Sequence, residues 1–254
     1  MTLRVLLRLV KRLVPVFLTI LFIVWLYTYY GAWDYTIKNI PEFFKLVYEH
    51  FVLVIISMFC AALVGVSLGT MMTRKSMEKV SSAIMAVVNV WQSVPSLGVI
   101  AMAYGFLPLI GLSGIGMVPA LIALFLQAVA PIVRNTYAGI DSVSKDVIEA
   151  ATGMGMTRKQ ILFQIELPNA MPVIAGGVRT ATAIIVGTAP LAFLIGGGGL
   201  GFWIFTGIAL VDTGIMVAGA VPVALIAMLF DYCLSVSEKF LVSRGVRTNE
   251  VKMA

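Results

Sequence analysis

Side chains that could do chemistry are scarce in this sequence, and two short stretches carry polar groups in a setting that suggests a role. The first covers residues 91–96 and the second covers residues 149–168. Neither contains a glycine loop with lysine for a nucleotide, a cluster of metal ligands, or a nucleophile beside a general base. We therefore expect no enzymatic activity, cofactor or metal on this chain, and we expect both stretches to work through non-covalent contacts.

The first stretch places polar side chains inside a long uncharged run. Gln92, Ser93 and Ser96 follow Trp91, and Pro95 should kink a helix there because it lacks a backbone N–H. Polar groups within an apolar span are unfavourable unless they face protein or a water-filled path. They could line a gate in a translocation path, or they could hydrogen-bond a neighbouring helix across a proline kink. The sequence leaves both interpretations open.

The composition indicates which elements position these stretches. Of the 254 residues, 60% are hydrophobic and 12% are charged, whereas soluble domains have about 45–50% and about 25%. A membrane-spanning helix needs about 20 apolar residues, and the long uncharged runs supply several. We expect an all-α, polytopic membrane protein with six transmembrane helices, at 13–30, 51–72, 82–106, 115–134, 172–195 and 213–234.

Lysine and arginine residues indicate the orientation. With the N-terminus in the cytoplasm, the inner segments carry sixteen of these residues and the outer segments carry two, Lys38 and Lys45. Cytoplasmic segments are enriched in basic residues, so we expect both termini in the cytoplasm. The net charge of +6 then reflects topology and contact with membrane lipid, and it requires no nucleic-acid partner.

The spans divide the chain into three parts. Residues 1–47 should form an N-terminal transmembrane helix and an outer interfacial helix, the latter at 38–50. Residues 48–236 should form the core, and residues 237–254 should form a cytoplasmic tail. The inner loop 135–170 should be ordered, because loops of this length without structure are uncommon.

Within this inner loop the sequence predicts two short helices. Ser144 can cap the first helix, and Gly155 can end it because glycine reaches backbone conformations that other residues avoid. Thr157 and Gln160 have the spacing of a capping box, which predicts the start of a second helix. Pro168 should end that helix, since proline disfavours helix in the residue before it.

Seven residues of the loop have a characteristic spacing: Glu149, Ala150, Ala151, Gly155, Ile165, Leu167 and Pro168. At every position they resemble the EAA motif of the permeases of binding-protein-dependent ABC importers. The resemblance covers about residues 48–236. We call residues 149–168 the EAA segment.

The resemblance implies a type I importer with a five-helix permease core, to which the first helix is an addition. Such an importer has two permease subunits, identical or related, in a bacterial or archaeal cytoplasmic membrane. Two separate ATPase subunits bind ATP and Mg²⁺, and an extracytoplasmic binding protein delivers a small solute. The alternative for the loop alone is an amphipathic segment lying on the membrane.

In this family the EAA segment is the coupling helix that docks on an ATPase. Glu149 would then pair with a basic group of the ATPase, because charge-assisted hydrogen bonds are strong. Ala150 and Ala151 would allow close approach, and Gly155 would permit the bend.

Residues 91–98 and 196–201 resemble the osmoprotectant branch of this family, which carries glycine betaine, choline or carnitine. The resemblance therefore implies a quaternary ammonium solute, while methionine or another amino acid remains an alternative. An ion-coupled secondary transporter, from a different class, needs ionisable residues within the membrane. The predicted spans are almost free of such residues.

Glycines suggest two further features. Gly65 and Gly69 form a small-xxx-small pair that suits close helix packing, either within the subunit or across a dimer, and we favour the former. The glycine-rich run 196–201, here called the glycine turn, suits a flexible outer loop or a tight turn between spans.

A few charged residues lie near the predicted ends of spans. Arg134, Arg179 and Asp231 are close to inner ends, where they could form a structural ion pair or, as the less favoured alternative, a contact at an aqueous gate. His50 is the single histidine, and it should lie at the outer membrane interface rather than act in a proton relay.

Overall fold

The structure is a computed structural model that describes residues 2–241, without the side chains of residues 2–13, 15, 16 and 239–241. Across this part of the chain the secondary structure is helical and contains no strand. The expected all-α class is therefore confirmed. The cytoplasmic tail predicted at residues 237–254 lies largely outside the described residues.

The helices follow one another with short connections. They are α1 (Thr2–Tyr29), α2 (Ala32–Lys38), α3 (Ile40–Met72), α4 (Glu78–Gln92), α5 (Ser96–Phe106), α6 (Met117–Asp141), α7 (Lys145–Gly153), α8 (Arg158–Ile161), α9 (Leu167–Thr188), α10 (Gly201–Leu210) and α11 (Thr213–Leu241). A π-helical turn at Leu162–Glu166 joins α8 to α9, and a 3₁₀ helix at Ala189–Ile195 follows α9.

Four helical stretches of the described chain are long and apolar enough to cross a membrane. They are Ile40–Met72, Met117–Asp141, Arg158–Ile195 and Thr213–Glu238. The span predicted at 82–106 is instead a pair of helices, α4 and α5, bent by 106° at the break before Ser96.

The orientation of the neighbouring helices α3 and α6 indicates that the bent pair crosses the membrane. Ser57 on α3 donates a hydrogen bond to the Leu121 carbonyl on α6 at 3.2 Å. Further along both helices, Gly69 packs against Thr136. From the first contact to the second, the residue numbers rise on both helices, so α3 and α6 run parallel. The chain between them must therefore cross the bilayer once more to return. The described chain thus supports five spans, and a sixth in α1, whose described apolar part is Phe17–Tyr29, stays a prediction.

Helices α3 and α6 approach each other closely at two glycines. A methyl group added at Gly65 would lie 2.7 Å from Ile132 Cγ2, and one added at Gly69 would lie 2.7 Å from Thr136 Cβ. In lipid, helix association depends on such close packing rather than on removal of apolar surface from water. The small-xxx-small pair therefore packs within the subunit, as favoured from the sequence.

The interfacial helix predicted at 38–50 is wrong as a separate element. A short helix, α2, does precede the span, but Ile40–Met72 is one continuous helix of 33 residues. Asn39 lies at its N-cap position and Pro41 lies in its first turn, where proline is tolerated because that N–H needs no partner. No glycine or proline separates residues 42–52 from the apolar run, so nothing ends the helix at the membrane surface.

Candidate functional site

The EAA segment begins on α7, which local signals define at both ends. Ser144 occupies the N-cap position as expected, although its side chain makes no capping hydrogen bond. At the other end, the Met156 N–H bonds to the Ala151 carbonyl at 3.1 Å, and the Gly155 N–H bonds to Thr152 at 3.0 Å. With Gly155 at φ +81°, this is a Schellman motif, and it turns the chain sharply.

The predicted capping box starts α8. Gln160 Oε1 accepts hydrogen bonds from the Thr157 N–H at 2.8 Å and from the Thr157 hydroxyl at 2.9 Å, and the Gln160 N–H reaches the Thr157 hydroxyl oxygen. Two backbone donors at the helix start are thereby satisfied. The turn between α7 and α8 is therefore fixed by the Schellman motif on one side and by the capping box on the other.

The expectation that Pro168 ends the second helix is wrong. The helical backbone continues from α8 through the π-helical turn into α9, and Pro168 lies in the first turn of α9. Proline fits there because its missing N–H is not required, and the wider π turn accommodates the local break in bonding. The EAA segment is thus continuous with a membrane-spanning helix.

The residues of the motif differ in exposure. Glu149, Ala150 and Gly155 are exposed, Ala151 is buried, and Ile165, Leu167 and Pro168 are partly buried. Three large apolar side chains also face outward from the same unit, on Val147, Met154 and Phe163. The exposed part of this unit therefore combines carboxylates, Glu149 among them, with apolar groups.

An ion pair that the sequence did not predict ties this unit to α3. Arg74 Nη2 lies 2.6 Å from Glu166 Oε2, and the Glu166 side chain is only 10% exposed. The same guanidinium donates to the Thr73 hydroxyl oxygen at 2.8 Å, so its position is fixed. A lone carboxylate between Ile165 and Leu167, in an apolar stripe, was the signal that a partner existed.

The bend between α4 and α5 borders a cavity of ≈ 280 Å³. Trp91, Gln92 and Ser96 line it, together with side chains of α6 and α9, whereas Ser93 and Pro95 do not. Pro95 lies at the N-cap of α5, so it begins a new helix instead of kinking a continuous one. The five predicted residues are gathered at the bend, and three of them share the cavity.

Trp91 also bonds to a neighbouring helix. Its indole Nε1–H donates to the Leu126 carbonyl on α6 at 2.8 Å. Ser93 donates to the Asn89 carbonyl within its own helix at 3.4 Å. Within this stretch, Trp91 thus bonds a neighbouring helix and Ser93 bonds its own chain, while Gln92 and Ser96 line the cavity.

A second cavity, of ≈ 390 Å³, lies between α9 and α11 and contains a predicted ion pair. Arg179 Nε and Nη2 donate to the two carboxylate oxygens of Asp231 at 2.6 Å and 2.9 Å. Both side chains are about half exposed, and Arg134 is not part of the pair. The expected pairing is confirmed for two of the three residues.

The glycine turn is tightly packed against the start of α3. The Gly199 N–H donates to Glu49 Oε2 at 2.9 Å, and Trp203 Nε1–H, two residues beyond the turn, donates to Glu42 Oε2 at 2.8 Å. A methyl group added at Gly201 would overlap the Pro190 carbonyl oxygen. Of the two interpretations, the tight turn is the one that the structure bears out.

His50, the single histidine of the sequence, is enclosed within the protein. His50 is completely buried, because the glycine turn covers it: a methyl group at Gly199 would lie 3.5 Å from His50 Cα. The sequence placed His50 at the end of an apolar run and gave no sign of the turn that packs over it.

The chain is similar in sequence to proteins that are named as transport permeases. The chain is 48% identical over 187 residues to the osmoprotectant import permease protein OsmY of Salmonella typhimurium, covering 74% of this chain and 77% of that protein. It is 43% identical over 209 residues to the choline transport system permease protein OpuBB of Bacillus subtilis, covering 82% and 93%.

A solved structure shares the fold. The inward-facing methionine ABC transporter MetNI contains a chain that superposes with a TM-score of 0.74 at 21% identity, covering 81% of this chain and 99% of that one. Residues 65–244 also match a family described as the binding-protein-dependent transport system inner membrane component. The chain therefore belongs to the family of inner membrane components of binding-protein-dependent transport systems.

Proposed function

We propose that this chain is the permease subunit of an ATP-driven importer for quaternary ammonium osmoprotectants such as choline, glycine betaine or carnitine. The observation that carries the proposal is similarity, at 41–48% identity over at least 74% of this chain, to permeases named for choline, for glycine betaine, carnitine and choline, and for osmoprotectants. Methionine is the weaker alternative, because the likeness to MetNI at 21% identity supports the fold alone.

The EAA segment is the surface on which a separate ATPase, holding ATP and Mg²⁺, would act. Glu149 is exposed and the described residues offer it no ion-pair partner, so it is available to a basic group of another protein. Val147, Met154 and Phe163, on the same unit, supply exposed apolar side chains. Such a combination suits a docking surface, where apolar groups provide contact area and a charge fixes the register.

The route for movement follows from the connections of this segment. Its backbone continues into α9, and the Arg74–Glu166 pair joins it to the end of α3. A displacement of the EAA segment would therefore move two spans together. In this proposal Trp91, Gln92, Ser93, Pro95 and Ser96, at the bend between α4 and α5, form the gate of the translocation path.

The partners follow from the family. We propose a second permease subunit, either a copy of this chain or a paralogue, an ATPase pair on the cytoplasmic side and an extracytoplasmic binding protein. The site of action is the cytoplasmic membrane of a bacterium or archaeon, with both termini of the chain inside. An ion-coupled secondary transporter has no supporting observation beyond the apolar spans that the two classes share.

Reconstitution tests this proposal directly. The chain is assembled with its cognate ATPase and binding protein in proteoliposomes, and uptake of radiolabelled choline, glycine betaine, carnitine and methionine is measured with and without ATP. We expect ATP-dependent uptake of at least one quaternary ammonium solute that requires the binding protein. Uptake of methionine alone, or uptake driven by an ion gradient without ATP, would refute it.

A further inference from the structure

The cavity at the bend between α4 and α5 contains a buried polar group without a partner. Gln127 on α6 lines it, is 9% exposed, and neither its amide oxygen nor its amide nitrogen has a hydrogen-bond partner among the described residues. Native proteins rarely leave such groups unpaired, because a buried amide loses its hydrogen bonds to water without replacement. Gln127 therefore needs a partner that the described residues do not supply.

Trp91 also lines the cavity, and its ring is held in place by a hydrogen bond. The indole N–H of Trp91 is already bonded to the Leu126 carbonyl at 2.8 Å, so the ring has no hydrogen-bond donor left for a solute. A quaternary ammonium group has no N–H and cannot be bound by hydrogen bonds, but it is attracted to the face of an aromatic ring.

The polar side chains of the cavity differ in the hydrogen bonds that they can make with a solute. Thr180 on α9 donates its hydroxyl hydrogen to the Gly176 carbonyl at 2.9 Å, so towards the cavity its oxygen can only accept a hydrogen bond. The Gln127 amide can both donate and accept. Gln92 and Ser96, which also line the cavity, can donate as well, but Gln127 is the donor that is buried and unpaired. A solute carboxylate can therefore be bound by Gln127 but not by Thr180, whereas a solute hydroxyl can use either residue.

The charge and position of the cavity suit a solute that is passing through. None of the residues that line it is charged, so a bound cation meets no counter-ion that would hold it tightly. Gln127 lies near the middle of α6, and Thr180 lies near the middle of α9. Both residues are therefore far from either end of their spans.

We propose that this cavity is a transit site for a quaternary ammonium solute, in which the Trp91 ring contacts the cation and the Gln127 amide binds the carboxylate or hydroxyl group. The inference rests on the proposed function and extends it by assigning a solute site to this chain as well as to the binding protein. Trp91 and Gln127 would then influence which solutes pass.

The test uses the complete transporter in proteoliposomes with saturating, solute-loaded binding protein. Gln127→Met keeps the side-chain length and removes the amide, and we expect it to lower the rate of glycine betaine uptake on the order of tenfold, the effect of losing one hydrogen bond to a charged group. Choline uptake should fall much less, because Thr180 can accept from its hydroxyl. Gln127→Glu should shift the preference further towards choline, since a carboxylate repels that of glycine betaine.

A matched control separates this role from a structural one. Thr136 on α6 is also fully buried with an unpartnered hydroxyl, but it faces Gly69 on α3 instead of the cavity. We expect Thr136→Val to leave both uptake rates unchanged. Trp91→Leu should lower the uptake of both solutes, and Trp91→Phe should retain most of it because an aromatic ring remains.

The outcomes are distinct. If Gln127→Met and Gln127→Glu transport both solutes with the rates and preference of Thr136→Val, the transit site is refuted and Gln127 is a buried amide without a role in recognition. If either variant changes the ratio of glycine betaine to choline uptake as stated, while binding-protein-stimulated ATP hydrolysis persists, the proposal holds. Failure of the proposed function itself is seen earlier, as absence of quaternary ammonium uptake by the unmodified transporter.

Discussion

The EAA segment and the glycine turn both reverse the chain with glycine, but they use it for different reasons. At Gly155 the backbone has φ +81°, and nothing lies within 4 Å of the position that a methyl group would take. At Gly201 the backbone has no positive φ, yet the position of the methyl group is occupied by the Pro190 carbonyl. One glycine is needed for its conformation and the other for its size.

The difference indicates that the EAA segment forms an exposed surface, whereas the glycine turn forms a packed junction between helices. The EAA segment turns in open space and leaves Glu149, Met154 and Phe163 exposed, so it can meet another protein. The glycine turn is held by Glu49 and lies over His50, so it joins α3 to the end of α9. We infer that substitutions in the glycine turn act mainly on folding, and that substitutions in the EAA segment act mainly on coupling to the ATPase.

The largest effect on stability is expected at Gly201. Gly201→Ala places a methyl group on the Pro190 carbonyl, and because both belong to a buried backbone neither can move away easily. We expect a loss of roughly 3 kcal/mol or more in the free energy of unfolding, at the upper end of overpacked core substitutions. Thermal unfolding of the detergent-solubilised protein, followed by monodispersity on a sizing column, measures it.

A matched control is available on α9. Gly187 lies in the helix with nothing within 4 Å of an added methyl group, so Gly187→Ala should be neutral or slightly stabilising, since alanine favours helix. Equal melting temperatures for Gly201→Ala and Gly187→Ala would show that the glycine turn is not a packed junction.

The next largest effect on stability is expected at Glu166, which belongs to the EAA segment but is buried, as most of the glycine turn is. Glu166→Gln removes the charge partner of Arg74. Breaking a buried ion pair costs about 3–5 kcal/mol, and we expect about 2 kcal/mol here because Arg74 is one-third exposed and can be solvated. The melting temperature should fall, and ATP hydrolysis should respond less to the loaded binding protein.

Exchange of the two charges sharpens that measurement. The double variant Arg74→Glu with Glu166→Arg should recover part of the lost stability if the pair itself matters. Asp231→Asn provides the comparison, because the Arg179–Asp231 pair is about half exposed and solvent screens it, so its loss should lower the melting temperature much less than Glu166→Gln. A larger effect at Asp231 than at Glu166 would contradict the assignment.

How far the sequence could predict these regions depends on the range of the interactions. The capping box at Thr157 and the turn at Gly155 follow from neighbouring residues, and both were predicted. The burial of His50 and the Arg74–Glu166 pair depend on residues 92 or more positions apart in the chain, which no local pattern encodes. Pro168 was expected to end a helix and instead lies at the start of one, and the kink expected at Pro95 is a sharper break of 106°. A proline marks a discontinuity without saying whether the helix ends, bends or begins there.

A smaller effect on stability is expected at Gly155. Gly155→Ala meets no clash, but alanine at φ +81° is unfavourable by about 1 kcal/mol. Gly155→Asn should cost less, because asparagine tolerates the left-handed region. Coupled transport should fall in the same order, with alanine below asparagine. If Gly155→Ala were less stable than Gly201→Ala, the EAA segment rather than the glycine turn would be the region more important for folding.

The smallest effect on stability, and the clearest separation of folding from coupling, is expected at Glu149. The carboxylate is exposed and has no ion pair among the described residues, so Glu149→Gln should leave the melting temperature unchanged. If a basic group of the ATPase binds it, loss of that charge-assisted bond should reduce solute-stimulated ATP hydrolysis and uptake on the order of tenfold. Asp146→Asn, a nearby exposed carboxylate on α7 outside the motif, is the control and should retain coupling. Normal transport by Glu149→Gln would mean that the apolar groups on Val147, Met154 and Phe163, rather than this charge, hold the ATPase.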